Sequence, residues 1–179
     1  MRDTPDTPPA VTYDDAPPRT LLQTYLSDHM AGSSGGLALA RRICEEHPDD
    51  AVGATVGRIA ADLEAERDVL DRIVRHLGMR TSTTKQVAAR VGERIGRAKL
   101  NGQLTGTSPL SLLVELEALM LGVTGRRALW RSLRVALPPD ALPADVDLDE
   151  LEGRAEEHRE VLEELRLDAA RTAFAGVTA

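Results

Sequence analysis

Apolar residues return every three or four positions along four long stretches of this chain, a spacing that commits each stretch to a helix burying one face. The first stretch, from about Arg19 to Glu46, lines up Leu22, Tyr25, His29, Gly32, Gly36, Leu39 and Ile43. The second, from about Ala51 to Leu77, lines up Val52, Val56, Ile59, Leu63, Glu66, Leu70, Ile73 and Leu77. The third, from Ser108 to about Ala136, is apolar nearly all round and is expected to be the most buried; only Glu115 and Glu117 interrupt it. The fourth aligns Leu148, Leu151, Ala155, His158, Leu162, Leu165 and Ala169. The apolar residues are mostly Leu, Ala and Val, and Tyr13, Tyr25, Trp130 and Phe174 are the whole aromatic complement, which favours helix over sheet. The expectation is an all-α antiparallel four-helix bundle.

The punctuation agrees. Pro48 and the acids after it end the first helix and cap the second, Gly78 stops the second, and Ser108-Pro109 starts the third. Asp147 and Glu150 read as the capping pair of the fourth. Residues 1–18 are rich in Pro, Asp and Thr and are expected to form a disordered tail, leaving 19–179 as one bundle domain. About 30 residues separate the second helix from the third, where a bundle ordinarily needs 2–8. Val87, Val91 and Ile95 suggest a short helix within that link. A link of this length suits a crossover between two consecutive helices that run parallel.

Charge and cysteine content restrict the function. A net charge of −7 argues against a general nucleic-acid binder, which needs a basic surface, and the Arg126-Arg127 pair is read as part of a solvated face. The lone Cys44 allows no internal disulfide and fits a reducing compartment. The first residues lack the apolar core of a secretion signal, and no run of about 18 apolar residues occurs, so a cytoplasmic protein away from membranes is expected.

Each stripe turns polar or bare near its middle: Asp28 and His29, Glu66, Glu117, and His158. Gly32 and Gly36, which cost helix propensity, are expected to meet a neighbouring helix closely, within the bundle or across a dimer. Weak internal similarity links Glu64–Leu70 to Glu156–Leu162, and Asp28 with Gly36 to Glu117 with Gly125. A duplication of one helix hairpin would leave such a trace, though heptad repeats also produce it.

Two hairpins, a long crossover and polar residues at mid-helix resemble the ferritin-like superfamily. The stretches around Asp28-His29-Met30-Ala31-Gly32, Lys99-Leu100-Asn101-Gly102 and Leu116-Glu117-Ala118-Leu119 also resemble a group of bacterial helical proteins without an assignable function. The ferritin-like resemblance implies a di-iron centre with a Glu from each of two helices and a Glu-x-x-His from each of the others. This chain has no Glu-x-x-His: three residues before His29, His47, His76 and His158 stand Leu26, Cys44, Ile73 and Ala155. Asp28, His29, Glu66, Glu117 and His158 remain as a mixed oxygen and nitrogen set for one Fe, Mn or Zn ion. The rival is a buried ion-pair network without any cofactor, in which Arg67 and Arg159 partner the acids. Function divides the same way. One reading is a non-enzymatic helical interaction or structural protein, with a second copy or another protein as partner. The alternative is a divergent metal-binding protein of ferritin-like type, with oxidoreductase activity within its reach.

Overall fold

The computed structural model describes residues 16–80 and 108–177, and these form four long helices. They are α1 (Pro18–Glu46), α2 (Ala51–His76), α3 (Pro109–Ala136) and α4 (Leu148–Ala173), with a 3₁₀ turn at Pro139–Ala141. The tail expected over 1–18 lies outside the described residues except for 16–18, where Pro18 already opens α1. The short crossover helix also lies outside them.

The caps follow the sequence. Asp50 accepts from the Gly53 amide at 3.0 Å, Ser108 from the Ser111 amide at 3.1 Å, and Asp147 from the Asp149 and Glu150 amides at 2.9 and 3.0 Å. At the end of α2 the Gly78 amide donates to Arg75 and the Met79 amide to Val74, with Gly78 at φ +62°. This is a Schellman stop, and the buried Met79 side chain completes it by packing in the same cluster as Val74.

Packing is closest between α3 and α4 and between α1 and α2; α1 also lies along α3, and α2 touches α4. Several contacts show which ends meet. Arg19 at the start of α1 donates to the Leu77 and Gly78 carbonyls just past α2. Tyr25 reaches Ser132 late in α3, while Arg42 late in α1 pairs with Glu115 early in α3 at 2.5 Å. Arg134 late in α3 holds Asp149 early in α4, and Arg166 late in α4 pairs with Glu117 at 3.5 Å.

The core is not continuous. One apolar cluster gathers Ile43, Val56, Leu63, Leu116 and Leu162. The other gathers Leu26, Leu70, Ile73, Leu133 and Leu151. Along α1, α2 and α3 the seam between them falls where the sequence interrupts its own stripe: between Met30 and Leu37, at Glu66, and between Val123 and Leu129. A layer of polar and very small side chains cannot join either cluster, so the core divides there.

One expectation about packing is corrected for the single chain. A Cβ added at Gly32 or Gly36 would meet nothing within 4 Å, so these glycines do not bring a neighbouring helix of the bundle close. The close approach is at Gly53, where a Cβ would collide with the His47 carbonyl oxygen because the turn from α1 into α2 folds back on the first turn of α2.

Candidate functional site: a buried ion pair beneath a glycine-lined cavity

Glu66 sits in the apolar stripe of α2 with 1 % of its surface exposed. A carboxylate there must find a partner within the protein. Arg126 of α3 supplies it: Nε lies 3.0 Å from Glu66 Oε2. The indole nitrogen of Trp130, one turn further on, donates to the same oxygen at 3.3 Å. Burial is the larger influence on both charges. It raises the Glu66 pKa against the pull of Arg126 and lowers that of Arg126 against the pull of Glu66.

Arg126 also reaches α4. Its Nη2 lies 2.9 Å from His158 Nδ1, and His158 Nε2 lies 3.0 Å from Asp62 Oδ2. A guanidinium only donates, so Nδ1 must accept and the neutral ring carries its proton on Nε2, where it donates to Asp62. Burial and the Arg126 charge lower the His158 pKa, against the Asp62 hydrogen bond, which supports the same neutral tautomer. Trp130, Glu66, Arg126, His158 and Asp62 therefore form one connected line through α3, α2 and α4. The line is not fully satisfied: among the described residues, Glu66 Oε1 and Arg126 Nε and Nη1 are buried without a hydrogen-bond partner, so Nε meets Glu66 as an ion pair only.

Above the ion pair lies a cavity of about 440 Å³. Gly32 and Gly36 from α1 and Gly122 and Gly125 from α3 line it, and a Cβ at any of the four would meet open space. Leu63, Leu70, Leu119 and Leu129 supply apolar wall; Glu66, Arg126 and Trp130 also line it. Asp28, His29 and Arg67 contribute further polar groups, of which Asp28 is exposed and the others half-buried. His29 stacks edge-on against Tyr25 with ring centroids 4.5 Å apart, and burial lowers its pKa against the effect of Asp28.

The five candidate metal ligands are thus divided. Asp28, His29 and Glu66 line one cavity. His158 lies beyond Arg126, with the guanidinium between it and Glu66. Glu117, expected to be buried, has a side chain 47 % exposed and pairs with Arg166. The helical turn explains this: Glu115, two positions earlier, faces inward beside Arg42, so Glu117 is turned away. Asp28 is likewise turned outward, since the buried face of α1 runs through Leu26, Met30 and Leu37 rather than through the glycines. Among the described residues no three His, Cys, Asp or Glu side chains come together as a metal-holding group, so this donor set does not fit the centre that a ferritin-like resemblance implies.

The expected arginine partners are corrected as well. Arg159 pairs with Glu156 at 2.6 Å on the surface of α4, and the buried Arg67 Nε has no hydrogen-bond partner among the described residues. Arg126, read from the sequence as a solvated-face residue, is the cation of the centre. Its signal was in the stripe: it stands three positions after Val123 and three before Leu129, both buried. Trp130, 1 % exposed, is a core residue.

Among the described residues no helix is long and apolar enough to cross a membrane. Comparison with protein-family models, with characterised proteins and with solved structures gives no match for the chain.

Proposed function

We propose that this chain is a non-enzymatic helical interaction or structural module, a degenerate ferritin-like bundle in which an ion-pair network occupies the place of a metal centre. The observation that carries this reading is the position of Arg126. Its guanidinium stands between Glu66 and His158, within 3.0 Å of both, where a metal shared by those side chains would have to sit. A fixed positive charge at that point repels a divalent cation and at the same time gives the buried acid its counter-charge.

The ferritin-like connectivity is part of the proposal. The start of α1 meets the end of α2, and the end of α1 meets the start of α3. Those contacts suit an order in which α2 and α3 run parallel and the intervening chain returns along the bundle.

Metal analysis of protein purified without chelator tests the reading. The expected result is Fe, Mn and Zn each far below one equivalent, and a melting temperature unchanged by EDTA. One equivalent of metal that is lost in His158→Ala would overturn it and restore the metal-binding alternative.

A further inference from the structure

We propose that the outward face of α3 is the interface of a homodimer, in which α3 of a second copy packs antiparallel against it about a two-fold axis between Thr124 and Gly125. This rests on the reading of the chain as an interaction module and names the partner; the ion-pair centre takes no part in it.

The face is apolar where the outer side of a bundle helix is ordinarily charged. Val114, Leu121, Ala128 and Val135 recur every seven residues, which sets them in one line along α3. None of them belongs to either core cluster. Leu121 is 70 % and Val135 82 % exposed, Ala128 is exposed and Val114 half-buried. By contrast, the exposed side of α2 carries Arg58, Asp68 and Arg72, and that of α4 carries Glu157, Glu160 and Glu164. Single apolar residues on a surface are ordinary, but a line of them about 32 Å long on one helix marks a face that meets a partner.

Charge complementarity identifies the occupant as a second copy. One flank of the line carries Glu117, Thr124 and Arg131; the other carries Ala118 and Gly125 and no charge at those positions. Glu117 is turned outward, and its pairing with Arg166 at 3.5 Å is loose, since Arg166 also holds Glu163 at 2.7 Å. Arg131 is exposed and enters no ion pair among the described residues. A two-fold axis crossing α3 between Thr124 and Gly125 brings Glu117 of each copy beside Arg131 of the other, so two ion pairs form at once. The same axis sets Leu121 against Ala128, a large side chain against a small one, and Val114 against Val135. A parallel pair would set the charged flank against the uncharged one and form neither ion pair.

Native mass spectrometry and analytical sedimentation of the full chain test the interface. The expected result is a dimer at about 100 µM chain, and a monomer for Leu121→Glu that keeps its helical circular dichroism and cooperative melting. Glu117→Arg and Arg131→Glu should each raise the dimer dissociation constant by at least about tenfold, and the double reversal should restore it to within about threefold. In a Cys44→Ser background, Thr124→Cys should be joined between copies by a short bismaleimide. Val114→Cys should not, because its counterpart in the second copy lies about 32 Å away. A wild-type chain that is monomeric at that concentration would overturn the proposal. So would a dimer that survives Leu121→Glu, a double reversal that associates no better than its parents, or Val114→Cys joined as readily as Thr124→Cys. Metal content bears on the ion-pair centre alone, so the two readings can fail separately.

Discussion

At the scale of single residues, Arg126 shows why a buried charge is judged by its partners. Removing it strands Glu66 within the core and leaves His158 Nδ1 without its donor. Arg126→Met is expected to lower the unfolding free energy by about 3–5 kcal/mol in urea denaturation. The double variant Glu66→Leu/Arg126→Met removes both charges and should be far less costly than the sum of the single changes. Additive costs would mean that the two residues do not act as a pair. Arg159→Ala should leave the melting transition in place, since its partner Glu156 lies beside it on the surface.

His158 has a folded pKa below its ordinary 6.5. Between those two values the unfolded chain takes up a proton that the folded chain refuses, so stability falls as pH drops through 6.5 and levels off once folded His158 is protonated. Glu66 acts in the other sense. Its folded pKa is raised above 4.5, so its contribution is present below 4.5 and lost as pH rises through the folded value. Comparing stability against pH for His158→Gln and wild type isolates the histidine. The variant should lose part of the decline just below pH 6.5, and an unchanged slope would show that His158 does not titrate as its surroundings dictate.

At the scale of elements, glycines that look alike in sequence have opposite roles. Gly53 lies where the α1–α2 turn presses against the first turn of α2, and its added Cβ would strike the His47 carbonyl. Gly53→Ala is expected to destabilise by about 1–3 kcal/mol, because backbone rather than a flexible side chain must give way. Gly122 stands mid-helix with open space around its Cβ position. Gly122→Ala should stabilise by about 0.5–1 kcal/mol, the ordinary gain in helix propensity. Denaturant midpoints of the two variants moving in the same direction would contradict the distinction. In both cases the outcome depends on what stands opposite the glycine, which its own helix does not specify.

For the whole molecule, the testable quantity is helix direction. The contact of Tyr25 with Ser132 puts the first half of α1 beside the last turns of α3. In a Cys44→Ser background, cysteines at Tyr25 and Ser132 should be joined efficiently by a short bismaleimide. Cysteines at Tyr25 and Leu110 should not, because Leu110 lies about 33 Å further along α3. Efficient joining of the second pair would reverse α3 and remove the basis for parallel α2 and α3.

The sequence by itself determined the elements. Helical periodicity, caps and stops are local, and the ends of α2, α3 and α4 lie where Asp50, Gly78, Ser108 and Asp147 put them. The stripes of α2 and α4 were also legible, Glu66 and His158 included, because a single apolar face leaves little choice of rotation. Rotation of α1 and α3 was not. In α1 the stripe through the glycines competes with one through Leu26, Met30 and Leu37, and α3 is apolar nearly all round, so either helix could turn by a residue at little local cost. Only packing decided that Asp28 and Glu117 face outward, that Glu115 and Arg126 face inward, and that Gly32 and Gly36 border a cavity instead of a close helix contact within the chain. Those choices depend on long-range partners, and no pattern within one helix contains the position of another.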